Sequence, residues 1–93
     1  MTTQMENTLI SILKKHDADR IGIFGSRARG DDRPDSDLDL LVDFRKTKSL
    51  LTLVSIEQEL SDSLGIKVDL LTEKAISPHL IDRIKAELKV VYQ

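Results

Sequence analysis

The stretch Asp37-Leu38-Asp39-Leu40-Leu41-Val42-Asp43-Phe44 carries the clearest strand pattern in the chain. Apolar residues occupy every even position from 38 to 44, and aspartate occupies three of the four odd positions. An alternation with a period of two residues is typical of a strand that is buried on one face. The pattern therefore predicts a strand over residues 37–44, with Asp37 and Asp39 on one polar face and their α-carbons about 6.6–6.8 Å apart.

The segments on both sides of this strand predict a small α+β fold. Apolar residues at helical spacing predict helices over residues 3–16, 49–64 and 77–89. Short apolar runs predict further strands over 20–24 and 67–72, and 90–92 is a candidate for a C-terminal edge strand. The order α-β-β-α-β-α describes a small mixed sheet with helices packed on it. A length of 93 residues fits one domain, residues 1–93.

Apolar stripes on two of these helices predict which side faces the core. The stripe of the second helix consists of Leu50, Leu53, Val54, Glu57, Leu60 and Leu64, and that of the last helix consists of Leu80, Ile81, Ile84 and Leu88. Glu57 is a polar interruption within its stripe. Leu51 and Ile56 lie off the stripe of the second helix, so they are candidates for contact with a partner chain.

The composition excludes several classes of function. The chain has no cysteine, which rules out disulfides, thiolate metal sites and cysteine nucleophiles. A formal net charge of −2 and an aromatic content of 3% argue against nucleic-acid binding, which usually relies on a basic surface or on stacking platforms. No apolar run approaches the ~20 residues that span a bilayer, and the N-terminus lacks a secretory signal pattern. The sequence therefore predicts a cytoplasmic protein that does not bind membranes.

The polar face of the central strand is the first candidate site. Carboxylates fixed on a rigid strand, such as Asp37 and Asp39, can hold magnesium through oxygen ligands. Asp69 in the next predicted strand is expected to face the same side, where it completes the metal site or accepts a proton. Two metal ions bound there would stabilise both the attacking and the leaving oxygen of a phosphoryl-type transfer. Alternating aspartates on their own, however, usually form only the solvated face of a strand.

The turn after the first predicted strand is a candidate phosphate site. The pair Gly25-Ser26 precedes Asp37 by ten intervening residues. Glycine lets the backbone approach a phosphate closely, and serine offers a hydroxyl and an amide. Arg27 and Arg29 follow, and guanidinium groups bind phosphate oxygens in paired geometry. The same two arginines could instead balance the aspartates of the loop, so the sequence leaves both interpretations open.

At these residues the sequence resembles a known family. The segments Gly25-Ser26-Arg27-Ala28-Arg29-Gly30 and Pro34-Asp35-Ser36-Asp37-Leu38-Asp39-Leu40-Leu41-Val42 look like the signature of the polymerase-β-type nucleotidyltransferase superfamily. In particular they resemble its short branch, the minimal nucleotidyltransferases. The resemblance implies that Asp37 and Asp39 bind metal, that Gly25 and Ser26 grip the triphosphate of ATP, and that Asp69 completes the carboxylate set.

The resemblance also implies a biological role. Members of this branch are often antitoxins that silence a HEPN-type toxin by complex formation, by attaching AMP to it, or by both. We therefore expect a magnesium-dependent transfer of AMP from ATP to a hydroxyl of a HEPN partner. The alternatives are a non-catalytic antitoxin and nucleotidyl transfer to a small molecule. Because larger nucleotidyltransferases add a second domain, a partner chain or a second copy of this chain is expected to complete the nucleotide pocket.

Overall fold

The computed structural model describes residues 1–93, and it contains four α-helices and four β-strands in one sheet. The helices are α1 (Thr3–Lys15), α2 (Ser26–Arg29), α3 (Leu50–Leu64) and α4 (Pro78–Glu87), and a 3-10 turn covers Glu73–Ala75. The strands are β1 (Ala18–Phe24), β2 (Leu38–Phe44), β3 (Val68–Leu71) and β4 (Lys89–Tyr92). The predicted α+β fold and element order are confirmed, including the C-terminal strand. None of the helices is long and apolar enough to cross a membrane.

The sheet has the order β3-β2-β1-β4 and is mixed, as predicted. Strand β1 runs antiparallel to both β2 and β4, whereas β2 and β3 are parallel. In this register Asp39 is the partner of Phe24 on one side and of Asp69 on the other. The end of β1 and the beginnings of β2 and β3 therefore lie next to one another at the same end of the sheet.

The core lies between one face of the sheet and the helices α1 and α3. The buried cluster comprises Leu9, Ile12 and Leu13 of α1; Ala18, Ile21 and Ile23 of β1; Leu38, Leu40 and Val42 of β2; Ile56 and Leu60 of α3; and Val68 and Leu70 of β3. The alternation within β2 and β3 sends Asp39 and Asp69 to the opposite face. Burial of the apolar positions thus fixes which side of the sheet carries the two aspartates.

The predicted inward stripe of α3 is partly wrong. Ile56, assigned to a partner contact, is 1% exposed and belongs to the core, whereas Leu50 and Val54 are 76% and 53% exposed. The apolar arc of this helix is wide, and the sheet and α1 cover only the side that includes Ile56 and Leu60. Leu51, also assigned to a partner contact, is 83% exposed.

Helix α4 packs more loosely than its sequence pattern predicts. None of its residues is buried, and Leu80, predicted to face the core, is half exposed. Leu88, just after the helix, covers Gly22 of β1 so closely that a Cβ at Gly22 would lie 2.5 Å from the Leu88 Cδ1. Helix α4 and Leu88 therefore lie on the face of the sheet opposite to α1 and α3. The absence of a side chain at Gly22 leaves room for Leu88.

The side chain of Glu57, the polar interruption in α3, accepts a hydrogen bond from the backbone of the edge strand β3. Strand β3 is an edge strand, and its outward amides would lack partners. The Leu70 N–H donates to Glu57 Oε2 at 2.7 Å, and the Val68 N–H donates to Ser61 Oγ at 3.1 Å. These two side chains of α3 thus satisfy the strand that carries Asp69.

We expect Glu57→Ala to lower the free energy of unfolding by about 1–3 kcal/mol, because it leaves the Leu70 amide without an acceptor. Urea denaturation followed by circular dichroism would measure the change. Glu57→Gln keeps a carbonyl acceptor and should lose less stability. An alanine variant as stable as the parent chain would contradict this assignment.

Candidate active site

Asp39 and Asp69 form the centre of the candidate site. They are register partners on the parallel strands β2 and β3, so their side chains lie side by side on the same face of the sheet. Burial first, and then the negative charge of Asp69, raise the pKa of Asp39 from its ordinary value to about 6. The charges of Asp37 and Glu87 add smaller contributions. The fold therefore holds several acidic groups close together at a half-buried position.

Asp37 lies at the margin of this pair. It immediately precedes β2, its side chain is 42% exposed, and its Oδ2 lies 3.7 Å from the Lys67 Nζ. No three histidine or acidic side chains lie together in an arrangement that could hold a metal ion. The structure thus brings Asp39 and Asp69 together and leaves Asp37 paired with a lysine, so a shared metal role for the three stays a prediction.

The chemistry of the donor set fits magnesium. The groups at this edge are carboxylates, which are the hard oxygen ligands that magnesium prefers. Asp39 and Asp69 are held in contact although both are acidic, and the raised pKa of Asp39 reflects that repulsion together with burial. A divalent cation between such groups would favour their ionised forms. Asp39 and Asp69 are therefore the residues best placed to act as ligands of a magnesium ion.

Gly25 brings the backbone against this pair. Its φ of 75° and ψ of −157° lie in a region that is essentially restricted to glycine. A Cβ at this position would overlap Oδ2 of Asp39. The Gly25 carbonyl accepts from the amides of Ala28 and Arg29, both at 3.1 Å, which starts the single turn of α2. Ser26, the first residue of α2, therefore follows directly after the glycine that lies against Asp39.

The two predicted phosphate-binding arginines have different surroundings. The Arg27 side chain is only 8% exposed; its Nη1 donates to Asp32 at 3.2 Å and its Nη2 donates to the Ser36 carbonyl at 2.7 Å. It therefore ties together the loop that leads to Asp37. The Arg29 side chain is 49% exposed and donates only through Nε and Nη1. Arg29 consequently has a donor nitrogen, Nη2, that is not used by the protein.

Glu87 is a residue of this site that the sequence analysis missed. Its Oε1 accepts from the Gly25 N–H at 2.8 Å, and its Oε2 lies 3.1 Å from the Arg29 Nη1. The Gly25 amide first, and then Arg29, hold the pKa of Glu87 below its ordinary value. Because 62 residues separate Glu87 from Gly25, no local pattern signals the contact.

A separate groove of about 460 Å³ lies at the other end of β2. It is lined by Val42, Asp43, Phe44, Lys46, Thr47, Lys48, Leu50, Leu53, Thr72, Glu73, Lys74 and Ala75. None of the residues predicted for catalysis or for phosphate binding lines it. The candidate site is therefore distinct from this groove, and the completion of the nucleotide pocket by a second chain stays a prediction.

Comparisons with known proteins identify relatives of this chain. A curated relative from Methanocaldococcus jannaschii, provisionally named a protein adenylyltransferase, is 46% identical over 84 residues, which is 90% of each chain. The protein adenylyltransferase MntA of Thermococcus cleftensis is 40% identical over 72 residues, covering 77% of this chain and 71% of the relative. A solved toxin–antitoxin structure with AMP-PNP shares the fold with a TM-score of 0.86 and 26% identity, covering 94% of this chain and 72% of that one.

The family model described as polymerase beta, nucleotidyltransferase, matches residues 7–93. That range contains the glycine turn, both arginines and all three predicted aspartates. With nearly the whole chain matched, and with the glycine turn lying against paired aspartates, the chain belongs to the polymerase beta nucleotidyltransferase family.

Proposed function

We propose that this chain is a magnesium-dependent protein adenylyltransferase that transfers AMP from ATP to a hydroxyl side chain of a HEPN-type toxin. The observation that carries the proposal is the pairing of Asp39 with Asp69 on neighbouring strands, with the Gly25 turn lying against Asp39. Family membership supports the reaction class, and the names of the curated relatives support a protein as the acceptor. The toxin–antitoxin neighbour supports an antitoxin role.

Each residue of the site has a role in this proposal. Asp39 and Asp69, with Asp37, would hold magnesium, which when bound neutralises and orients the triphosphate. The hydroxyl and amide of Ser26 bind phosphate oxygens, and Arg29 offers Nη2 to the departing pyrophosphate. Arg27 keeps the loop before Asp37 closed, and a direct phosphate contact by Arg27 would require it to leave Asp32 or Ser36.

The reaction itself is an in-line displacement. The acceptor oxygen attacks the α-phosphorus, the bond to the β-phosphate bridging oxygen breaks, and pyrophosphate leaves. The proton of the acceptor hydroxyl passes to a carboxylate of the acidic group or to water. The protein contributes position and charge compensation, and it forms no covalent intermediate.

The position of the site at one end of the strands suggests how the partner contributes to the reaction. The Gly25 turn and Asp39 would face a bound nucleotide from one side. The partner would cover the other side and present its hydroxyl. Leu50, Leu51 and Val54 form an exposed apolar patch on α3, near the groove at the other end of β2, which offers the partner a second contact area away from the nucleotide.

The test uses ATP labelled at the α-phosphate, magnesium, and the purified HEPN partner. We expect label on the partner, and we expect EDTA or the double variant Asp37→Asn/Asp39→Asn to remove it. Asp43→Asn, on the same strand but away from the pair, serves as the matched control and should keep transfer. Unchanged labelling by the double variant would refute the mechanism.

A toxin neutralisation assay with the same variants addresses the antitoxin role. If modification silences the partner, the double variant should fail to protect cells from the toxin. If the double variant protects cells as well as the parent chain does, complex formation alone is sufficient. The labelling result separates the enzymatic activity from that second outcome.

A further inference from the structure

Glu87 joins two parts of the candidate phosphate site through one carboxylate. Its Oε1 accepts the Gly25 N–H at 2.8 Å. The Arg29 Nη1 lies 3.3 Å from Oε1 and 3.1 Å from Oε2. Glu87 is the last residue of α4, so this contact joins α4 to the glycine turn.

The hydrogen bond from the Gly25 N–H to Glu87 restrains the peptide between Phe24 and Gly25. Gly25 is the N-cap of α2, and no side chain of its own caps that helix. Its carbonyl is held by the first turn of α2, whereas its N–H is held by Glu87. The Gly25 N–H belongs to the Phe24–Gly25 peptide. Because glycine is flexible, an acceptor on this N–H restrains the orientation of that peptide and the direction in which the chain enters Ser26.

The bond to Arg29 fixes the plane of a guanidinium group. Asp31 accepts from Nε at 3.2 Å, and Glu87 accepts from Nη1. Two acceptors on different nitrogens of a planar fork restrict its rotation and leave Nη2 as the remaining donor nitrogen. An exposed arginine otherwise loses side-chain entropy when it binds phosphate.

We propose that Glu87 is a positioning residue for nucleotide binding, which presets the Gly25 peptide and the Arg29 guanidinium to receive the triphosphate. This inference rests on the proposed function, since it concerns the same site. A purely structural role is the competing explanation, because α4 has no buried residue and needs anchors. The experiment must therefore separate nucleotide binding from the anchoring of α4.

Calorimetric titration with AMP-PNP and magnesium provides the first readout. We expect Glu87→Ala to weaken binding by about tenfold, which corresponds to about 1.4 kcal/mol. Glu87→Gln keeps an acceptor for Gly25 but loses the charge opposite Arg29, so it should fall between the parent chain and the alanine variant. In the transfer assay the KM for ATP should rise by a larger factor than kcat falls.

Glu73→Ala is the matched control for anchoring. The Glu73 Oε1 pairs with the Lys85 Nζ of α4 at 3.0 Å and does not contact the site. A purely structural role of Glu87 predicts that both alanine variants lower the melting temperature and that neither changes affinity for AMP-PNP below that temperature. Our proposal predicts weaker binding for Glu87→Ala only.

A double-mutant cycle with Arg29→Ala tests whether Glu87 acts through Arg29. We expect Glu87→Ala to weaken binding by a clearly smaller factor in the Arg29→Ala background. Full additivity, or unchanged affinity of Glu87→Ala in a parent chain that binds AMP-PNP, would overturn the inference. Failure of the parent chain to bind AMP-PNP both alone and together with the purified HEPN partner would instead refute the proposed function. Faster hydrogen exchange of the Gly25 amide in Glu87→Ala checks the first contact without any nucleotide.

Discussion

Asp39→Asn is expected to lower AMP transfer by about 10³-fold while raising the thermal stability of the metal-free chain at pH 7. The loss of transfer follows because an amide is a poor magnesium ligand and carries no charge to compensate the cation. The gain in stability follows because Asp39 is held against Asp69 while partly buried. Removing its negative charge relieves repulsion that the folded chain tolerates at this site.

The pH range of the stability gain follows from the pKa of Asp39. The folded pKa, about 6, lies above the ordinary value of 3.8. A group whose pKa is raised by folding contributes stability below its unfolded pKa, and that contribution is lost as the pH rises from about 4 to about 6. Asparagine does not ionise, so the variant should lose this pH dependence. Since Asp39 is partly exposed, we expect a gain of only about 2–4 °C in melting temperature.

Thermal denaturation in EDTA at pH 4 and at pH 7.5 measures the effect. The advantage of Asp39→Asn over the parent chain should be larger at pH 7.5, and added magnesium should stabilise the parent chain but not the variant. Asp43→Asn, on the same strand, controls for a general change in net charge. An Asp39→Asn chain that is less stable than the parent at pH 7.5 in EDTA would contradict the assignment.

The sequence predicts the parts of the fold that depend on local patterns. The alternation around Asp39 defines strand β2, and Ser77 with Pro78 marks the start of α4. The burial of α3 could not be derived in the same way, because its apolar arc is wider than the surface that the sheet covers. Only the tertiary packing selects Ile56 and leaves Leu50 exposed.

The residues of the candidate site also divide into those that local patterns predict and those that only the tertiary structure reveals. Spacing identifies Gly25 and Asp39, and strand periodicity identifies Asp69, because these residues lie at the ends of regular elements. The different surroundings of Arg27 and Arg29 could not be predicted, since Arg27 is buried by a loop that has no periodic pattern. Glu87 could not be found because its partners, Gly25 and Arg29, lie 62 and 58 residues away in the sequence.

Gly25→Ala is expected to destabilise the chain by about 1–3 kcal/mol and to reduce AMP transfer by about 10²-fold. The backbone conformation of Gly25 is essentially restricted to glycine, which accounts for the loss of stability. The added Cβ would also overlap the Asp39 Oδ2, so the carboxylate must move. A displacement of about 1 Å at a reacting group is sufficient for a loss of this size. Urea denaturation and the labelling assay measure the two effects.

Gly65→Ala separates backbone strain from the collision with Asp39. Gly65 also has a positive φ, 71°, and it ends α3, but a Cβ there would meet nothing within 4 Å and so would not touch Asp39. It should lose about 1 kcal/mol of stability and keep full transfer. In a double-mutant cycle, Asp39→Ala removes the colliding carboxylate, so Gly25→Ala should destabilise that background less than the parent chain. Equal destabilisation in both backgrounds would show that strain alone accounts for the glycine, and that Gly25 does not set the position of Asp39.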